Sequence, residues 1–320
     1  MFEYIFLGTA ASAPSIRRGL TANLVLHNDQ RFLIDCGEGT QRQILQSGLG
    51  FRRLDKVLIT HSHLDHILGL GGLMSTLARW ENKQTIEIWA GRAALQRIKD
   101  LLFKVVLREH QLDVKIELCE IQPGLLMKSG SFELHAVPVQ HRGPDCFGFV
   151  FEEKPHRPFL AETAQALGVP FGPERRLLVQ GQAITLSDGR VVQPDAVLGD
   201  WQAGAKLVHI GDCGDTRNLV DVCQHADALV IEATYNESER AMAKQFGHLT
   251  ARQAAELAQT AQVKHLYLTH ISRRYREKEL RDEARAVFSD TFIAHDFDTF
   301  TAKRGQSGKP STLARAELDE

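Results

Sequence analysis

The chain has 320 residues, 43% of them hydrophobic, with a formal net charge of −2 and an isoelectric point near 6.7. That length allows one large domain or two small ones around a sizeable core, and the charge balance excludes a uniformly basic nucleic-acid binder, so a polyanionic substrate must be held by local patches or by bound cations. Cys36, Cys119, Cys146, Cys213 and Cys223 are scattered without a C-x-x-C pair, which argues against a disulfide framework or a Cys-ligated structural zinc and fits a reducing cytoplasm. Met1 leads directly into a strand-like run, so no signal peptide is read, and no apolar segment approaches membrane-spanning length.

The first strand, Phe2–Leu7, runs into a loop of small residues, Gly8 to Gly19, that ends in Arg17 and Arg18. Such a loop either approaches phosphate or is a plain surface turn with solvated arginines. Asn23–His27 and Arg31–Asp35 read as a hairpin. Asp35-Cys-Gly-Glu-Gly-Thr-Gln41 then opens a helix-like segment whose glycines permit close backbone approach; Asp35 is either a partner for a ligand histidine or the acidic start of an ordinary strand-to-helix turn.

The chemistry concentrates in Lys56-Val-Leu-Ile-Thr-His61-Ser-His63-Leu-Asp65-His66. A short apolar run reads as a buried strand, and open α/β sheets place their sites on the loops leaving such strands. Imidazole and carboxylate together suit zinc and related divalent ions, and catalytic zinc keeps one position open. Four potential ligands within six residues exceed what one such ion uses, so two ions are expected. An irregular turn would send His61 and His63 to one, Asp65 and His66 to the other.

Gly69–Leu73 leads into a helix over Met74–Trp80, followed by a strand at Thr85–Trp89 and an amphipathic helix over Ala93–Leu107. Strands follow at Val114–Leu118 and Phe132–Val137, the second delivering His141 as a ligand of the first metal. From about residue 152 to 204 the apolar density falls, which reads as an insertion of the kind that is usually functional or mobile. The core resumes at Lys206–Ile210, whose end carries Asp212 as the bridge between two cations, with Asp215 as a cap for the next helix. Ala228–Ile231 delivers Glu232, a candidate partner for His248. Thr250 caps a helix over Ala251–Ala261, and His265–Leu268 delivers His270, which completes the ligand set. Arg273 and Arg274 are either phosphate contacts or an ordinary helix start. The polar stretch over 303–320 is expected to be disordered.

Assembled, His61-x-His63-x-Asp65-His66, His141, Asp212 and His270 resemble the metallo-β-lactamase superfamily over nearly the whole chain. Asp35–Gln41, Gly168-Val-Pro-Phe-Gly172-Pro173 and Thr269–Tyr275 narrow the resemblance to the ribonuclease Z family, which processes tRNA 3′ ends. The resemblance implies an α/β fold of the αββα sandwich type over 1–302, a flexible tRNA-binding arm within 152–204 that presents Gly172, Pro173, Arg175 and Arg176, and a homodimer. It implies two Zn2+ per subunit, with Mn2+ or another divalent ion as a substitute. His61, His63, His141 and Asp212 would hold the first, and Asp65, His66, Asp212 and His270 the second.

The expected reaction is endonucleolytic removal of the 3′ trailer from precursor tRNA, leaving a 3′ hydroxyl and a trailer 5′ phosphate. Asp65 would be the base, His248 with Glu232 the acid, and Arg273 a substrate contact. Three departures stand out: Ile231 where the family carries histidine, His248-Leu-Thr250 for its H-S-T, and Gly19 where relatives carry asparagine. The competing readings are a phosphodiesterase for small diesters and a non-catalytic RNA-binding scaffold.

Overall fold

Even and odd residues of the first strand enter different interiors. In β1 (Phe2–Gly8), Phe2, Tyr4 and Phe6 join one apolar cluster while Ile5 and Leu7 join another, as the two-residue period requires of a strand covered on both faces. The structure is a computed structural model that describes residues 1–79, 85–107, 114–304 and 310–313. These fall into two compact units, Met1–Glu152 with Ala205–Glu320, and Glu153–Gly204.

The larger unit continues with β2 (Ala22–His27), β3 (Gln30–Ile34), β4 (Lys56–Leu58), β5 (Thr85–Ala90), β6 (Lys115–Glu120), β7 (Gly124–Lys128), β8 (Phe132–Pro138) and β9 (Phe147–Glu153). The smaller unit holds β10 (Ile184–Thr185) and β11 (Val191–Val192). The chain then returns through β12 (Lys206–Gly211), β13 (Ala228–Glu232), β14 (His265–Thr269), β15 (Thr291–Ile293), β16 (Asp298–Ala302) and β17 (Ser311–Thr312). One sheet has the order β17-β16-β1-β2-β3-β4-β5-β6, the other β15-β14-β13-β12-β9-β8-β7. β3 to β6 run parallel, as do β12 to β15.

Between the sheets lies an aromatic layer in which Phe2, Tyr4, Phe6 and Phe32 from the first meet Phe132, Phe149, Phe151 and Tyr267 from the second. Each such side chain, fully buried, contributes about 1.5–3 kcal/mol through area removed from water. Helices cover the outer faces. α1 (Thr40–Gln46), α2 (Leu64–Ile67), α3 (Gly69–Leu77) and α4 (Arg92–Asp100) pack Ile44, Ile67, Leu73 and Ile98 onto the first sheet. After α5 (Ala161–Ala166) and α6 (Pro173–Val179) in the smaller unit come α7 (Val220–Cys223), α8 (Arg240–Phe246), α9 (Ala251–Thr260) and α10 (Glu277–Arg285). Of these, α9 and α10 pack Ala254, Ala258, Leu280 and Ala284 onto the second sheet. The layering is the αββα sandwich that the resemblance implies.

Several local expectations need correction. The His-rich loop is not an irregular turn: Leu64–Ile67 close one helical turn with His63 at its N-cap position. Helix α3 begins at Gly69 rather than Met74, because the glycine run is a packing surface. A Cβ on Gly69 would sit 1.9 Å from the Gly37 carbonyl oxygen. The amphipathic helix stops at Asp100 and continues over Leu101–Val106 with π-type winding. Trp80, the expected end of the earlier helix, lies outside the described residues. The 152–204 segment, read as poor in core residues, has its own small core of Ala164, Val169, Leu178, Ile184, Val192 and Val197. In the tail expected to be disordered, Ser311 and Thr312 pair with Thr299 and Asp298.

The expected cap at Thr250 is present in full. Its side chain accepts the Gln253 N–H and the Gln253 side chain returns the bond, closing a capping box. Asp215 does not cap a helix; it accepts the Arg217 N–H at 2.9 Å and pairs with the same guanidinium, closing a turn before α7.

Candidate metal centre

The candidate ligands follow the C-terminal ends of strands, directly or through the helical turn beyond β4. β4 runs out into His61 and His63, β8 leads to His141, β12 to Asp212 and β14 to His270. Two of the turns are left-handed at non-glycine residues, Asp35 at φ +59° and His270 at φ +54°, a backbone state that persists where surrounding contacts enforce it.

The two oxygens of Asp212 divide these residues into two groups. Oδ2 lies 3.8 Å from His61 Nε2 and 3.7 Å from His141 Nε2, and His141 Nε2 lies 3.3 Å from His63 Nδ1. Oδ1 lies 3.6 Å from His66 Nε2 and 3.4 Å from His270 Nε2. Asp65 Oδ2 closes the second group at 3.5 Å from His270 Nε2 and 3.8 Å from His66 Nε2. A tetrahedral ion with bonds of about 2.0–2.1 Å holds its ligand atoms about 3.3–3.4 Å apart, close to these spacings.

The opposite edges of the rings are anchored. His66 Nδ1 donates to Asp35 Oδ2 at 2.8 Å, His141 Nδ1 to the Gly247 carbonyl at 2.6 Å and His270 Nδ1 to Thr234 Oγ1 at 2.8 Å, while His61 Nδ1 lies 3.0 Å from Thr60 Oγ1. Donation from Nδ1 leaves the Nε2 lone pair facing the centre. There His61 Nε2, His66 Nε2 and Asp212 Oδ1 are buried without a hydrogen-bond partner. Buried polar atoms without partners are costly, and these converge on common points. The donor set therefore fits divalent cations.

Electrostatics agree with ligand geometry at His61, His63 and Asp65, whereas at His66 burial lowers the ring's basicity but the charges of Asp212 and Asp35 outweigh it and raise its pKa, so a cation binding there has to displace a proton. Burial, reinforced by His141, pulls the His63 imidazole down to about 4, and burial with the neighbouring His66 charge depresses His61, so both rings hold free lone pairs at neutral pH. Burial works against the Asp65 carboxylate, yet hydrogen bonding and charge from His270 and His66 hold it below its ordinary range.

Glu232, fully buried, has every oxygen engaged. Oε1 accepts from His248 Nδ1 at 2.8 Å and Cys213 N at 2.7 Å, and Oε2 accepts the Thr234 hydroxyl at 2.5 Å. Thr234 therefore donates to Glu232 and accepts from His270, a coupling that sequence reading missed. Burial lowers the affinity of His248 for its proton, but the charge and hydrogen bond of Glu232 outweigh it and raise the ring to about 9. Thr60, Ser12 and Gly247 had no role in the sequence reading; Ser12 N–H donates to Asp65 Oδ2 at 3.0 Å. Asp35, named as a candidate partner, meets His66 as described, and Gly37 provides the close approach, since a Cβ there would lie 2.5 Å from the Asp65 carbonyl oxygen.

The remaining candidates lie elsewhere. Arg18 is buried, bonded to Thr9, the Ala294 carbonyl and Glu277, while Arg17 stays exposed. Ile231 is buried in the helix-side cluster with Leu229. Arg274 pairs with Glu239 at 2.8 Å and Arg273 is exposed. In the smaller unit, Gly172 and Pro173 start α6, Arg176 is exposed, and Arg175 donates to the carbonyls of Val169 and Pro170 beneath the Phe171 ring.

Comparison with known proteins places this frame. Residues 2–160 match the anti-Pycsar protein Apyc1 family and residues 196–271 the beta-lactamase superfamily domain. Ribonuclease Z of Bradyrhizobium sp. (strain ORS 278) is 44% identical over 301 residues, 94% of this chain and 100% of the relative. Ribonuclease Z of Archaeoglobus fulgidus is 38% identical over 93% of this chain and 96% of its own length. Among solved structures, human tRNase Z, short form (ELAC1), superposes with a TM-score of 0.67 at 27% identity, covering 94% of this chain and 99% of that one. YhfI from Bacillus subtilis, at 19% identity and TM-score 0.67 over 93% of this chain and 98% of its own, shares the metallo-beta-lactamase fold. Identity at this level, carried from end to end on the same frame of sheets and helices, makes the chain a member of the ribonuclease Z family.

Proposed function

We propose that the chain is a metal-dependent endoribonuclease that removes the 3′ trailer from precursor tRNA, leaving a 3′ hydroxyl on the tRNA and a 5′ phosphate on the trailer. Family membership supports the substrate. The observation that carries the chemistry is the division of Asp212, one oxygen toward His61 and His141 and the other toward His66 and His270. We assign the first group, with His63, and the second, with Asp65, to two Zn2+ ions, the working form to a homodimer as the family resemblance implies, and its location to the cytoplasm, which the unpaired cysteines support. No helix among the described residues is long and apolar enough to cross a membrane.

Two divalent ions, when bound, supply Lewis acidity and a nucleophilic water at neutral pH. The chain's own groups do the rest. Asp65, fixed through Oδ2 by the Ser12 N–H, orients the attacking water and takes its proton. Held by Glu232 through Nδ1 and protonated at neutral pH, His248 offers its proton to the departing 3′ oxygen. Glu232 is a positioning residue, since its oxygens are taken up by Cys213 N–H, the Thr234 hydroxyl and His248 Nδ1. The Glu153–Gly204 unit is assigned to holding the tRNA body through Gly172, Pro173 and the exposed Arg176, with the exposed Arg273 as a further substrate contact.

Incubation of zinc-loaded protein with a precursor tRNA carrying a trailer, with both new ends mapped, tests the reading. A single cut near the acceptor stem leaving a 3′ hydroxyl is expected. Hydrolysis of small diesters without any cleavage of the precursor would overturn it.

A further inference from the structure

The Glu153–Gly204 unit is not basic. It carries five Lys and Arg residues, Lys154, Arg157, Arg175, Arg176 and Arg190, against six carboxylates, Glu153, Glu162, Glu174, Asp188, Asp195 and Asp200. Most of its arginines are already committed. Arg157 pairs with Asp195 at 2.5 Å and donates to the Gly199 and Leu198 carbonyls, Arg190 pairs with Asp188 at 2.7 Å, and Arg175 is tied to the backbone beneath Phe171. Binding led by phosphate neutralisation needs several free cations. This unit presents few.

It presents aromatic surface instead. Trp201 is 71% exposed and Phe171 81% exposed, although an indole of this size is normally well buried. Trp201 lines a cleft of about 590 Å³ whose other walls include His156, Val179, Gln180, Gln193 and Pro194, and whose one guanidinium, Arg157, is neutralised there by Asp195. The cleft offers an apolar ring face beside two exposed side-chain amides and an exposed imidazole, groups that both donate and accept hydrogen bonds. A flat aromatic platform with mixed donors and acceptors at its edge is the chemistry that holds an unpaired nucleobase, stacked on the ring and read along its rim.

We infer that the Trp201 cleft binds a single unstacked base of the RNA substrate, so that this unit grips its RNA by stacking rather than by charge. The inference rests on the proposed assignment of RNA as substrate. A base exposed in a loop enters the cleft, lies against the indole and pairs its edge with Gln180 or Gln193. The contact discriminates folded RNA with extruded bases from continuous duplex, and it is nearly insensitive to salt because no counterions are released.

The test compares full-length wild type, Trp201→Ala and Trp201→Phe, each zinc-loaded, in precursor-tRNA binding at two salt concentrations and in hydrolysis of bis(p-nitrophenyl) phosphate. Trp201→Ala is expected to weaken RNA binding about tenfold or more by the same factor at both salts, Trp201→Phe to restore most of it, and both to leave diester hydrolysis unchanged. Wild-type RNA affinity in Trp201→Ala overturns the inference, as does a loss that disappears at one salt concentration. If wild type itself neither binds nor cuts the precursor, the assignment of substrate fails. If wild type cuts normally and the substitution has no effect, only the cleft's role fails.

Discussion

Glu232 and His248 meet at 2.8 Å with the carboxylate wholly buried, so the imidazole is held by one nitrogen and made more basic by the same contact. Replacing His248 with alanine removes the proposed acid without touching the ligand atoms. The rate of precursor cleavage should fall by about 10²–10⁴ while bound metal, measured by mass spectrometry, stays at the wild-type level. The wild-type rate needs the protonated ring, so it should decline as pH rises through about 9, and the variant should lack that decline.

Asp35→Asn preserves shape and tolerates the left-handed backbone at φ +59°, yet it removes the charge that orients His66. Metal affinity of the second group should drop 10- to 100-fold, read by competition with a fluorescent chelator. Unchanged affinity would mean that the Asp35–His66 contact merely fills space.

Gly69→Ala places a methyl group 1.9 Å from the Gly37 carbonyl oxygen. Helix α3 must then move off the Asp35–Gly39 loop. The expected loss of stability is about 1–3 kcal/mol, visible as a lowered melting temperature, with a secondary loss of metal because the loop and the His66 turn share this packing.

His295 is in none of the candidate ligand groups and lies 3.2 Å from Asp298 and 2.8 Å from Glu277. Its hydrogen bond to Asp298 raises its pKa against the opposing effect of burial. Because the folded value lies above the unfolded one, the pair stabilises the protein below about pH 6.5 and the contribution is lost as pH rises through the raised value. His295→Gln should therefore lower the urea midpoint at acid pH and have little effect at alkaline pH.

Much of this molecule was legible in its sequence because the candidate ligands sit where apolar runs end. His141, Asp212 and His270 each follow a strand that reads clearly from its residues, and the expected convergence is what the structure contains. Other features were hidden for physical reasons. The roles of Thr60, Thr234 and the Gly247 carbonyl arise from hydroxyl and backbone groups that look alike everywhere in a sequence and become specific only through partners as far apart as Thr234 and His270. Strand β7 escaped because Gly124–Lys128 is half exposed, without the alternation of a strand with one buried face. Helix α6 escaped because the stretch around Pro173 was read only as low in apolar density, although proline is favoured in the first turn of a helix.

His61, His63, Asp65 and His66 ride on the first sheet, while His141, Asp212 and His270 hang from the second. The cage is thus a clasp across a seam, and the ions it grips would rivet the two halves of the sandwich together. Chelation should loosen that seam, so amide exchange along β4 and β12 would quicken together when metal is stripped, turning cofactor loss into a mechanical event felt deep in the aromatic interior.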